Sequence, residues 1–250
     1  MLQCNINLCD AAERSPGARR FLYFSDTTNL TPIGRRVTSQ QFISLPYALE
    51  RASPSFEGNA IKYPEVLVRH FLKAFTKPGS KVFDPFAGLG TTLFVAEELR
   101  RIPFGVERDL RRHLWVAGQL RHWANLVYGD SAELATYGFP KIDFAMTSPP
   151  FMPRHHKWNP LCGGNPANAG YYRYLDQMQH IFRQLSRVMR RNGVIVVQAD
   201  NLPGRTYTPL VRDLSTAISE VFRLEAEIVV AWEGGRKDYR HTHCLVFKAS

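Results

Sequence analysis

A chain of 250 residues that is 44% hydrophobic and 12% aromatic is long enough to bury one substantial core, and a single α/β domain is its default architecture. Its formal net charge of +10 favours a polyanionic partner. No apolar window of about 18 residues is present, which excludes a membrane-spanning helix.

Residues 1–60 read as irregular, rich in Arg, Ser, Thr and Pro with short apolar pieces such as FLYF and QFISLPYAL. They are expected to form an N-terminal arm or small cap, leaving 61–250 as the main domain. The opening MLQCNINLCDAAERS has no basic start followed by an apolar run and does not read as a secretory signal. Cys4, Cys9, Cys162 and Cys244 form no CxxC pair. Neither a disulfide framework nor a metal site is expected, and a reducing, cytoplasmic setting fits.

From Tyr63 the pattern sharpens. Pro64 can open a helix, and Val66, Leu67, Phe71, Ala74 and Phe75 then recur at helical spacing until Lys77-Pro78-Gly79. Lys81-Val82-Phe83 predicts a short buried strand ending at Asp84, followed by a glycine turn and a helix from Thr91 to about Arg101. Phe104–Glu107 predicts a second strand, 109–123 a helix, Asn125–Tyr128 a third strand, and Ile142–Met146 a fourth. A polar loop over 152–170 leads to a helix over 171–189. Val194–Ala199 predicts a strand, 209–221 a helix, and Leu224–Trp232 and His243–Lys248 two strands with no helix between them. Strands alternating with helices predict a parallel sheet covered on both faces, with the last two strands as a hairpin at one edge.

Ligands of such sheets sit beyond the carboxyl ends of the strands. DPFAGLG, residues 84–90, is neither a dinucleotide fingerprint nor a phosphate loop with its lysine, so it is not built for a pyrophosphate. Its glycines let backbone approach a ligand, and Asp84 can reach a cationic or polar group. Glu107 ends the next strand, where an acid accepts hydrogen bonds from ribose hydroxyls. Asp130 ends the third, placed for an adenine amino group.

Ser148-Pro149-Pro150-Phe151 follows the fourth strand. Two prolines lock the backbone and remove two N–H donors, leaving carbonyl oxygens in fixed directions. The Ser148 hydroxyl and the Pro149 carbonyl can accept both hydrogens of a planar amino group while Phe151 stacks on the ring. A nucleobase amino nitrogen delocalises its lone pair into the ring; two acceptors aimed at its hydrogens free that pair for attack.

Taken together, YPEVLVRHFLKAFTKPG, DPFAGLGTT and TSPPF resemble the amino-methyltransferase family of DNA methylases, of N4-cytosine and N6-adenine type, over about residue 62 to the C-terminus. The resemblance implies a Rossmann-like class I methyltransferase fold: a doubly wound, mainly parallel seven-stranded sheet with a C-terminal antiparallel edge hairpin. It implies S-adenosyl-L-methionine as cofactor, held by Tyr63, Pro64, Asp84, Pro85, Phe86, Ala87, Gly88, Gly90, Thr91, Thr92, Glu107, Asp130 and Ser131. It makes Ser148, Pro149, Pro150 and Phe151 the catalytic loop, and a serine at its head resembles the N4-cytosine type. Methyl transfer to cytosine N4 in DNA is therefore expected. The alternatives are an RNA base methyltransferase, and a non-catalytic nucleic-acid-binding protein on the same scaffold. The loop after Phe151 and the N-terminal arm are both short for reading several bases.

Arg154, His155, His156, Lys157 and Trp158 interleave cations and an aromatic just past the catalytic loop and are expected to contact a nucleic-acid strand. At least one of Tyr171, Tyr172 and Tyr174 is expected in the core. Arg183, Arg187, Arg190 and Arg191 read as a solvated helical face. His241, His243 and Cys244 read as alternation along an edge strand rather than as metal ligands.

Overall fold

The computed structural model describes residues 41–57, 62–204, 206–235 and 239–250, all within one unit, Thr31–Ser250. Most of the expected arm, with Cys4 and Cys9, lies outside the described residues. Its described part carries a short strand, β1 (Phe42–Pro46). Helix α1 (Glu65–Phe75) starts on Pro64, whose φ of −63° already suits a helix entry, and buries Leu67, Val68, Phe71 and Leu72. Next come β2 (Lys81–Asp84), α2 (Thr91–Glu98), β3 (Ile102–Glu107), α3 (Leu110–Ala117) and β4 (Leu126–Tyr128). The second half supplies β5 (Ile142–Thr147), α4 (Tyr171–Val188), β6 (Met189–Ala199), α5 (Leu210–Ser219), β7 (Arg223–Glu233) and β8 (His241–Lys248). Among the described residues no helix is long and apolar enough to cross a membrane.

The strands form one sheet in the order β1-β7-β8-β6-β5-β2-β3-β4, parallel except for β8, which runs antiparallel to both β6 and β7. Seven of the eight are the expected strands; the eighth is β1, which pairs Phe42–Pro46 with Val229–Glu233. The terminal hairpin is present, but it does not sit at the edge. β1 occupies that place, and β8 is interior, so His241 and His243 lie on a central strand and not on an edge strand.

Successive residues of the central strands face opposite layers, as the pleat requires. Val82, Phe144, Val196 and Val246 pack with α1 and with Val95 of α2. Their neighbours Phe83, Ala145, Ile195 and Phe247 pack with Tyr174, Phe182 and Leu185 of α4 and Leu214 of α5. Tyr171 and Tyr174 are core while Tyr172 is exposed, so two of the three tyrosines are buried where at least one was expected.

Two predicted helices end early. α2 stops at Glu98 because Arg100 adopts a left-handed φ of 60°, with the Arg101 N–H donating to the Ala96 carbonyl at 2.8 Å. α3 stops at Ala117, before Gly118. The expected arginine face is corrected too. Helix α4 ends at Val188, so Arg190 and Arg191 belong to β6, and Arg190 pairs with Asp143 at 3.0 Å.

From β2 the chain steps outward through β3 to β4, then returns to the other side of β2 with β5. The carboxyl ends of β2 and β5 therefore flank the switch point of the sheet, where a crevice opens.

Candidate active site

The DPFAGLG turn leaves β2 at this crevice. Asp84 is 1% exposed, and its Oδ1 accepts from the Phe86 N–H at 3.0 Å and the Thr147 hydroxyl at 2.6 Å. The Tyr63 hydroxyl lies 3.4 Å from Oδ2 and 2.5 Å from Thr92 Oγ1, while Thr92 donates to the Met146 carbonyl at 3.2 Å. This chain of hydroxyls ties α1 and α2 to the ends of β2 and β5. Burial pushes the Asp84 carboxyl up to about 6, against the hydrogen bonds that favour its ionised form.

Glu107, at the end of β3, is buried with each oxygen on a backbone donor: the Gly88 N–H at 2.7 Å and the Asp109 N–H at 2.7 Å. Burial raises its pKa, and those two N–H groups oppose the rise. Each oxygen keeps a lone pair for one hydroxyl of a vicinal diol. Asp130, past β4, caps the short turn Ser131–Thr136 by accepting from the Ala132 N–H at 2.9 Å. Its other oxygen is 3.7 Å from the Arg108 guanidinium. Ser131 donates its hydroxyl to the Pro85 carbonyl, fixing the turn after β2 to the end of β4.

A cleft of about 1800 Å3 runs from these acids to Ser148-Pro149-Pro150-Phe151. Tyr63, Asp84, Phe86, Ala87, Gly88 and Thr91 line it, as do Glu107, Asp130, Ser131 and all four residues of the tetrapeptide. The other residues expected around the cofactor stand behind the lining. Pro64 caps α1, Pro85 receives the Ser131 hydroxyl, and Thr92 braces Tyr63. Gly90 lets α2 approach α3: a Cβ there would lie 2.7 Å from Val116 Cγ1.

Arg154, His155, His156, Lys157 and Trp158 are exposed and outside the lining. Arg154 is engaged within the fold, its guanidinium 2.7 Å from Asp213 Oδ2 and over the Tyr171 ring at 5.5 Å. Buried Asn159 holds the loop beside them through the Asn168 carbonyl at 2.8 Å and the Leu161 N–H at 2.8 Å.

Sequence reasoning missed two groups of lining residues. Tyr47, Leu49 and Ser53 border the cleft from the segment after β1. Glu65 anchors that segment, accepting from the Glu50 N–H at 2.9 Å and the Arg51 N–H at 3.2 Å, and Glu57 pairs with Arg112 at 2.6 Å. No local pattern announces these long-range contacts. The second group, Gln198, Asp200 and Asn201 with Tyr239, His241 and His243, closes the far side of the cleft. Its signal was available: Val194–Ala199, the second half of β6, is a near-continuous apolar run followed by Asp200-Asn201, another polar strand end at the carboxyl edge of the sheet.

The donor half fits S-adenosylmethionine. Buried Asp84 and Glu107 and half-exposed Asp130 stand at three successive strand ends, matching in kind a cationic group, a ribose diol and an adenine amino group.

Residues 38–114, under a third of the chain, match the family model described as DNA methylase. The match covers the DPFAGLG turn and Glu107 and ends before the tetrapeptide. The type II methyltransferase M.MjaI of Methanocaldococcus jannaschii is 37% identical over 60 residues, 24% of this chain and 20% of that protein. M.BglII of Bacillus subtilis is 41% identical over 46 residues, 18% of this chain and 13% of that protein. The chain thus matches a fifth or less of the length of these relatives. Among solved structures, TrmN from Thermus thermophilus superposes with a TM-score of 0.52 at 19% identity, covering 74% of this chain and 48% of its own, a likeness of fold. The chain is thus similar to the DNA methylase family over residues 38–114 and has a Rossmann-like fold of the class I methyltransferase kind.

Proposed function

We propose that this protein transfers a methyl group from S-adenosylmethionine to the exocyclic amino group of a nucleobase, cytosine N4 in DNA. The observation that carries the reading is the single cleft joining the three strand-end acids to Ser148-Pro149-Pro150-Phe151 at the switch point of the sheet. In this reading Asp84, Glu107 and Asp130 hold the cofactor, which supplies an electrophilic methyl on a sulfonium. The Gly88 turn brings backbone against it. The Ser148 hydroxyl and the Pro149 carbonyl accept the two amino hydrogens, and Phe151 stacks on the base. A target base in a duplex is flipped into the cleft at a cost of about a few kcal/mol. His155, His156, Lys157 and Trp158, exposed just past the tetrapeptide, meet the strand that carries the base. The serine at the head of the tetrapeptide favours cytosine over adenine.

The test is to incubate the protein with tritiated cofactor and separate DNA and RNA pools, then digest to nucleosides. Label is expected in N4-methylcytosine from DNA. Label in N6-methyladenine would overturn the choice of base, and label from RNA alone the choice of polymer. Cofactor binding with no label in either pool would instead favour a non-catalytic binding protein. Ser148→Ala is expected to slow labelling by about a hundredfold or more while leaving cofactor affinity within about twofold.

A further inference from the structure

The tetrapeptide lacks a partner for one particle. A methylated amino nitrogen must lose a proton, and neither a serine hydroxyl nor a backbone carbonyl is a base of useful strength. On the far wall of the same cleft stands a carboxylate that nothing above uses. Thr147 of β5 pairs with Val197 of β6, so Ser148 is level with Gln198, and Asp200 lies two residues further along, at the mouth.

Gln198 Nε2 donates to Asp200 Oδ2 at 3.1 Å and bonds Thr242 Oγ1 at 2.6 Å. Asp200 Oδ1 is buried and makes no well-formed hydrogen bond among the described residues, while the nearby Thr242 and Tyr239 hydroxyls favour the ionised carboxylate. Such an oxygen costs stability and calls for a reason in function. The ionisable groups around Asp200 come from β8 and the segment before it: Tyr239, His241, His243 and Cys244, with Arg240 on the same wall. From β7, Glu227 Oε1 lies 2.7 Å from His243 Nδ1. His243 is paired in register with Ala199, so it and Glu227 lie on the opposite face of the sheet from Gln198 and Asp200.

We propose that Asp200 takes up the proton released by the target amino group and passes it to water in the open cleft. The inference rests on the methyl-transfer reading above. As the amino nitrogen bonds to the methyl carbon, the carbon–sulfur bond breaks and its electron pair stays on sulfur. The nitrogen then carries one proton too many. That proton moves to the Asp200 carboxylate, directly or through one water, giving a neutral carboxylic acid. The acid then gives its proton to a water molecule in the open cleft, returning Asp200 to its carboxylate. Burial raises the pKa of Asp200, which makes it a better proton acceptor than an exposed aspartate.

The experiment follows single-turnover methylation of a short oligonucleotide against pH, with saturating cofactor so that its positive charge keeps Asp84 ionised. The wild-type rate falls toward acid as Asp200 protonates. Asp200→Asn is expected to be about a hundredfold slower and to lose this acid limb, with cofactor and oligonucleotide affinities within about twofold. Asp200→Glu retains the limb. Carbon-13 NMR of labelled aspartate in the cofactor-free protein gives a readout independent of turnover. Among the described residues two aspartate carboxyls, Asp84 and Asp200, titrate above the ordinary range in the wild type, and the Asp200 signal is lost in Asp200→Asn. An active wild type whose rate and acid limb survive in Asp200→Asn overturns the proton route alone. A wild type that methylates no nucleic acid overturns the route together with the reading beneath it.

Discussion

Asp84 shows how a residue proposed to bind the cofactor works against the fold that holds it. A carboxyl raised from 3.8 to about 6 in the folded state binds its proton more tightly there than in the unfolded chain. Its contribution to stability is therefore present below pH 4 and is lost as pH rises through 6, amounting to about 3 kcal/mol by neutrality. A cationic group placed beside it recovers that cost as binding energy. Asp84→Asn, which keeps a carbonyl for Phe86 and Thr147, is expected to stabilise the cofactor-free protein at pH 7 by about 1–3 kcal/mol. Thermal unfolding at pH 7 and pH 4 checks this, because the gain should vanish at the lower pH. The same variant should bind S-adenosylmethionine about tenfold or more weakly by calorimetry. A destabilised variant at pH 7 would contradict the strain assigned to Asp84.

At the scale of elements, the turn from β2 into α2 carries two glycines with different duties. Gly88, φ 53°, faces the cleft, and a Cβ there meets nothing nearer than the Phe86 carbonyl at 3.7 Å. Gly90, φ 75°, sits under α3, where a Cβ collides with Val116 at 2.7 Å. Gly90→Ala is expected to cost about 2–4 kcal/mol in a denaturant titration, and Gly88→Ala no more than about 2, its main effect being on cofactor affinity. Elements of this kind were legible, because an apolar run, an acid at its end and a glycine turn are all local in sequence. The acids Asp84, Glu107 and Asp130 were found through them. What escaped was set by distant partners. β1 is a strand only because β7 offers Val229–Glu233, and the Glu50–Arg51 backbone reaches the cleft only because Glu65 waits on α1. Arg190 and Arg191 kept helical spacing in sequence, but Met189 already belongs to β6, paired with Ile142.

At the scale of the whole molecule, charge and burial are divided between the two kinds of ligand proposed. The groups proposed to face the cofactor are carboxylates, two of them buried, whereas the chain carries a net charge of +10 and most of its described arginines and lysines are exposed. Salt screens the second set far more than the first. Nucleic-acid affinity is thus expected to fall by about tenfold or more between about 50 and 200 mM salt. Cofactor affinity over the same range should change by less than about twofold. Filter binding and calorimetry on one preparation separate the two; equal salt slopes would mean that cofactor and polymer share one electrostatic field.

Trp232 adds an optical property to this architecture. It is 6% exposed, while Trp123 and Trp158 are more than half exposed and Trp115 is intermediate. Its ring contacts Tyr47 edge-on at 5.5 Å and lies 6.2 Å from Tyr239, two residues on the cleft wall that come from opposite ends of the chain. The indole thus emits from an apolar setting, at shorter wavelength than its three counterparts, and both tyrosines are close enough to transfer excitation to it. A ligand that moves either wall changes this emission, so the native chain contains its own fluorophore for timing the filling and emptying of the cleft.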